Sequence, residues 1–149
     1  MTLISRAQAE YFMRAALNEG KKAIDKCKPN SPVGCVLVKN GDIISKGHTN
    51  EPGHLHAEAM ALNQISGNLK DVIAFVTLEP CSFHGRTPSC ALEFVNRNIK
   101  KVYIGMIDPH PKNQGAGVDI LTKAGVPVEI GLLSKEIKEE LEPYLIVYP

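Results

Sequence analysis

Two apolar runs constrain the fold more than anything else in this chain. Val33 to Lys39 and Val72 to Leu78 are almost uninterrupted by polar residues. A strand with no polar alternation has no face to offer water, so each run reads as a strand inside a sheet covered by other elements. Asn40-Gly41 follows the first run as a hairpin turn, which makes Asp42 to Gly47 its partner strand. Lys101 to Ile107 reads as a further strand and Val126 to Ile130 as a last one. Helical signals fall between them. Ala9, Phe12, Met13, Ala16 and Leu17 recur at helical spacing within Ser5 to Lys26, with Gly20 as a tolerated interruption. Further helices are expected over His56–Ile65, Ser89–Asn98, Val118–Ala124 and Ser134–Leu141, the last with Ser134 as N-cap and Ile137 as apolar anchor. Strands alternating with helices imply a layered α/β domain. With 149 residues, no repeat and no linker, residues 1–149 are expected to form one domain.

Composition narrows the partners. A formal net charge of +1 gives no electrostatic case for broad nucleic-acid or membrane binding. No run of about 18 apolar residues exists, so no membrane span is expected, and Met1 to Ser5 is too short and polar for a secretion signal. Four cysteines would suit two disulfides in a secreted chain. Two of them instead sit in a metal-like pattern, which points to thiolate ligands and a reducing cytoplasm.

That pattern is His56-Ala57-Glu58, then Pro80-Cys81, then Cys90. One imidazole and two thiols make three zinc ligands, and a three-ligand site keeps a position open for water, as catalytic sites do. Glu58 is then spare, placed to move protons. This layout suits a hydrolytic deaminase, in which activated water attacks a ring carbon bearing an amino group. A closed structural zinc site would need a fourth ligand, for which His84 is the near candidate; a redox pair of Cys81 and Cys90 lacks the usual two-residue spacing. A non-catalytic zinc-stabilised interaction module is the alternative from another class. Cys27 and Cys35 have no zinc-like spacing, and Cys35 lies in an apolar strand. His48, His54 and Lys112 read as ordinary surface or loop residues. The Tyr144–Tyr148 tail is expected to pack on the domain.

These residues resemble the cytidine-deaminase-like superfamily. The superfamily's usual second motif is Pro-Cys-x-x-Cys, whereas Cys81 and Cys90 here are separated by eight residues. That longer segment, Thr77 to Cys90 with Gly85-Arg86-Thr87-Pro88 inside it, is similar to the deaminase domain of bacterial riboflavin biosynthesis proteins. Val33-Gly34-Cys35-Val36, His56-Ala57-Glu58-Ala59 and Asp108-Pro109-His110-Pro111 extend the similarity from about Pro29 to Gly131. The resemblance implies a three-layer αβα sandwich around a five-stranded mixed sheet. It implies one zinc ion per chain on His56, Cys81 and Cys90, with Glu58 as the catalytic proton shuttle. It implies substrate contacts from Asn30, which would hold a pyrimidine, from Arg86, which would face a phosphate, and from Asp108. The implied substrate is 2,5-diamino-6-ribosylamino-4(3H)-pyrimidinone 5′-phosphate. Phe83 and His110 stand where the family usually has histidine and asparagine, near the expected pocket. They keep open another nucleoside, nucleotide or free base as substrate. A homodimer and a separate reductase complete the expectation.

Overall fold

A computed structural model describes residues 4–52, 54–82 and 89–145. Helix α1 (Arg6–Gly20) begins at Ser5, whose Oγ accepts from the Gln8 amide at 3.1 Å while Gln8 Oε1 accepts from the Ser5 amide at 2.9 Å. This reciprocal pair is a capping box. A short 3₁₀ turn (Lys21–Ala23) and a loop lead into β1 (Gly34–Lys39) and β2 (Asp42–His48). Asn40 and Gly41 between them have φ of 51° and 82°, the positive pair a two-residue hairpin turn needs. Then follow α2 (Ala57–Leu62), β3 (Val72–Leu78), α3 (Cys90–Asn96), β4 (Lys101–Met106), α4 (Ala116–Lys123), β5 (Val128–Ile130), α5 (Ser134–Leu141) and a closing 3₁₀ turn (Glu142–Tyr144).

The strands form one five-stranded sheet in the order β2-β1-β3-β4-β5. β1 is antiparallel to both β2 and β3, whereas β3, β4 and β5 run parallel, so the sheet is mixed. The register of β1 on β2 shifts between Leu37 and Val38.

Side chains alternate across the sheet and fill two cores. On one face Cys35, Leu37, Ala74, Val76, Val102 and Ile104 meet Ala57, Ala61, Phe94 and Leu121 from α2, α3 and α4. On the other, Val36, Val38, Phe75 and Tyr103 meet α1 and α5 through Phe12, Met13, Ala16, Leu17, Ile137 and Leu141. Phe75 and Tyr103 stack with ring centroids 4.6 Å apart. The result is the expected αβα sandwich.

Element ends differ in informative ways. Helix α1 stops at Gly20 rather than Lys26 and tightens there into the 3₁₀ turn Lys21–Ala23; Gly20 is also a contact point, where a Cβ would come within 2.8 Å of the Gly34 amide nitrogen. Helix α5 begins as expected, but its N-cap is Leu133 at φ 55°, and Ser134 is the first helical residue. The chain turns there through a left-handed residue, so the serine hydroxyl caps nothing. His48 lies at the end of β2 rather than in a loop, and its Nδ1 is 2.7 Å from the carboxylate of Glu19 in the last turn of α1. Burial pushes the Glu19 carboxyl up, but hydrogen bonds from His48 and Lys22 outweigh it and hold the group below its ordinary value.

The closest backbone approach gives one prediction. A Cβ at Gly34 would collide with the Ala16 carbonyl oxygen. Gly34→Ala should therefore cost about 3 kcal/mol in urea unfolding, as overpacking of a backbone contact does. A loss within experimental error would mean that α1 can retreat from β1 freely.

Candidate active site

Parallel strands end with their carbonyl ends on one side of a sheet, and the chain leaving them builds the crevice there. β3 leads into Glu79, Pro80 and Cys81, and β4 leads into Asp108 to His110. Two helices present their first turns to the same place. His56 is the N-cap of α2 and Cys90 the first residue of α3. Ser89 caps α3, its Oγ accepting from the Leu92 amide at 3.1 Å.

The imidazole Nδ1 of His56 lies 3.6 Å from Cys81 Sγ and 3.6 Å from Cys90 Sγ. The three ligand atoms all fall within 4.8 Å of one another, and they form the one such group among the described residues. Zinc bonds of about 2.3 Å to sulfur and about 2.0 Å to nitrogen span a tetrahedral edge of about 3.6 Å, so the donor set fits that ion. His84, the sequence candidate for a fourth ligand, lies outside the described residues, as do Phe83 and Arg86.

Without metal the cluster shares protons. The Cys90 amide donates to Cys81 Sγ at 3.2 Å. Hydrogen bonds from Cys90 and from His56 hold the Cys81 thiol well below its ordinary value, so it is a thiolate. The Cys81 thiolate in turn raises His56 to about 9. Cys90, hydrogen-bonded to that thiolate and buried as well, is pushed up and keeps its proton. Glu58, in the first turn of α2, is 4% exposed. Burial pushes its carboxyl up to about 7, and the charge on Cys81 adds to the rise.

These groups open on a cavity of about 300 Å³. Asn30, His56, Glu58, Cys81, Asp108 and His110 all line it, and Cys90 stands behind His56 and Cys81 in the donor cluster without lining it. Asn30 is also a turn residue, its amide donating to the Cys27 carbonyl at 2.7 Å. Asp108 organises its own loop: Oδ1 accepts from the His110 amide at 2.9 Å and Oδ2 from Asn113 Nδ2 at 3.2 Å. His110 Nδ1 accepts from the Lys112 amide at 3.0 Å, which places the proton of the neutral ring on Nε2. Cys27 and Cys35 stand apart from the cluster. Cys35 is fully buried in β1, and Cys27 Sγ donates to the Asn30 carbonyl at 3.2 Å.

Three lining residues had no role assigned from the sequence: Thr49, Glu79 and Leu145. Thr49 braces the Asn30 loop, donating to the Ser31 carbonyl at 2.8 Å and accepting from the Val33 amide at 2.9 Å. Glu79 adjoins Pro80-Cys81, but only the fold shows where its carboxylate goes. Leu145 packs against the α1–α5 core, so this part of the tail lies on the domain as expected; residues 146–149 lie outside the described set.

The family model for the cytidine and deoxycytidylate deaminase zinc-binding region matches residues 6–106. The chain belongs to that deaminase family. Among relatives of this deaminase, the riboflavin biosynthesis protein RibD of Actinobacillus pleuropneumoniae is 43% identical over 137 residues, 92% of this chain and 36% of that protein. The chain thus spans about a third of the length of such a relative. The diaminohydroxyphosphoribosylamino-pyrimidine deaminase of Buchnera aphidicola is 41% identical over 126 residues, 85% of this chain and 86% of that one. The solved structure of Acinetobacter baumannii RibD superposes with a TM-score of 0.88 at 39% identity, over 95% of this chain and 40% of that chain. No helix among the described residues is long and apolar enough to cross a membrane.

Proposed function

We propose that this chain is a zinc-dependent hydrolytic deaminase whose substrate is the diaminopyrimidinone ribosyl 5′-phosphate of riboflavin biosynthesis. The observation that carries the reading is the buried carboxylate of Glu58, facing one cavity beside three metal-type donors and raised to about 7. A relative of nearly the same length carries the matching name.

His56, Cys81 and Cys90 would hold one zinc ion, which when bound supplies a Lewis acid that lets water ionise near neutral pH. Glu58 does the proton work. With a value near neutrality it accepts a proton from the attacking water and gives it to a ring nitrogen, and then helps ammonia leave. One water is consumed, the carbon–nitrogen bond breaks, and a carbonyl replaces the amino group. Asn30, Asp108 and His110 orient the ring from the cavity wall, with Phe83 and Arg86 assigned to the same pocket on sequence grounds. Arg86 suits the phosphate, because a guanidinium grips two oxygens at once. The reading places the protein in the cytoplasm, where thiolates stay reduced, as a homodimer whose product passes to a reductase.

A second reading, a cytidine or deoxycytidylate substrate, is favoured by the family description and by His110 in place of asparagine. Ammonia release from the zinc-loaded protein separates the two. The diaminopyrimidinone phosphate should be preferred by about 100-fold or more in kcat/KM, the discrimination that a site built around specific hydrogen bonds reaches readily. A preference for deoxycytidylate would reject the first reading.

A further inference from the structure

Helix α4 lacks a cap of its own. Its N-cap is Gly115 at φ 82°, which has no side chain to offer. The missing cap comes from 36 residues earlier in the chain. Glu79, 3% exposed at the end of β3, accepts from the Gly115 amide at 3.0 Å and the Asp108 amide at 3.1 Å through Oε1, and from the Val118 amide at 2.9 Å through Oε2. The N-cap amide and the third helical amide are the two donors that a capping box satisfies locally. Here one carboxylate takes both, in a place where the helix dipole favours negative charge.

The third bond reaches the substrate side. Asp108 opens the loop that lines the cavity with Pro109 and His110. Two further contacts hold the same seam. Asn113 Nδ2 donates to the Pro80 carbonyl at 3.2 Å, and a Cβ at Gly117 would collide with that carbonyl oxygen. Glu79 and Pro80 immediately precede Cys81. The segment that presents the thiolate and the loop that presents Asp108 and His110 are therefore fastened to each other through one buried side chain.

We propose that Glu79 is a positioning residue for this deaminase, fastening the Asp108–His110 loop and the first turn of α4 to the Cys81 segment so that metal-type donors and substrate contacts keep a fixed separation. Both of its carboxylate oxygens are engaged by backbone amides. It acts through the loop, so its loss should weaken substrate binding before it harms chemistry. The inference rests on the deaminase reading.

The test compares zinc-loaded wild type, Glu79→Gln and Gly117→Ala. Glutamine keeps the shape but turns an NH₂ toward backbone N–H groups that need an acceptor. Alanine leaves Glu79 intact and pries α4 off Pro80, although alanine is the better helix former. Amide exchange and turnover are measured, the latter with whichever of the diaminopyrimidinone phosphate, cytidine and deoxycytidylate the wild type deaminates. In both variants exchange at Asp108, Gly115 and Val118 should quicken by about tenfold or more, with β3 and α3 amides and zinc content unchanged. KM should rise about tenfold with kcat within about threefold. Unchanged exchange, or a lowered melting temperature with KM unmoved, would overturn the inference. A wild type active on deoxycytidylate alone would reject the proposed substrate and leave Glu79 to be judged by the same ratios. A wild type that deaminates none of the three would remove the deaminase reading and the inference with it.

Discussion

Glu58→Gln should abolish turnover and at the same time make the metal-free protein more stable above pH 7. The first effect follows from the proton work: a positioned general base contributes about 10²- to 10⁴-fold, and glutamine can neither take nor return a proton. The second follows from burial. The carboxyl rises from 4.5 to about 7 in the fold because burial disfavours its charged form. For a raised value, the stabilising protonation is fully present below pH 4.5 and is lost as pH climbs through 7. At pH 8 the wild type therefore holds a buried carboxylate at a cost of about 3 kcal/mol, and the neutral amide does not. Urea unfolding of chelated protein should show the variant more stable at pH 8, with the gain vanishing toward pH 4.5. A glutamine variant that loses activity and gains nothing at pH 8 would mean that water or a hydrogen-bond partner solvates the Glu58 charge.

Zinc binding near pH 7 should release about two protons, and the apparent affinity should climb roughly 100-fold per pH unit there. The count comes from the metal-free cluster. Cys81 is already a thiolate. His56, raised to about 9, carries a proton that it must give up to ligate. Cys90, pushed well above its ordinary value, carries the other. Below pH 7 a protonated Glu58 adds to the release once its charge is favoured by the bound cation. Calorimetry in two buffers of different ionisation enthalpy reads the number directly. A release below one proton would mean that the metal-free cluster holds fewer protons than the two placed on Cys90 and His56.

What the sequence disclosed depended on how local the cause was. β1 and β3 were legible because continuous apolar runs have no other place to go, and the Asn40-Gly41 turn because two positive φ values favour those residues. His56, Glu58, Cys81 and Cys90 were legible as a group because ligand chemistry limits the residue types. The end of α1 and the cap of α5 were not. Helix α1 gives way after Gly20 to the 3₁₀ turn Lys21–Ala23, and α5 is entered through Leu133 in a left-handed conformation, and nothing local in the sequence marks either. Glu79 was hidden for the same reason. Its position beside Pro80 suggested a strand end, while its role depends on a helix 36 residues away. Thr49 and Leu145 reach the cavity only because the sheet and the closing turn bring them there.

The sheet also limits how two copies can meet. Its outer strands are β2, where the β1–β2 register is broken between Leu37 and Val38, and β5, only three residues long. A broken register twists an edge away from flat pairing, Asp42 and Lys46 place charge along β2, and three residues offer too few amides to template a neighbour. Growth of the sheet from copy to copy is discouraged on both sides. A dimer of this chain would therefore join through helix and loop surfaces, leaving each sheet closed within its own subunit.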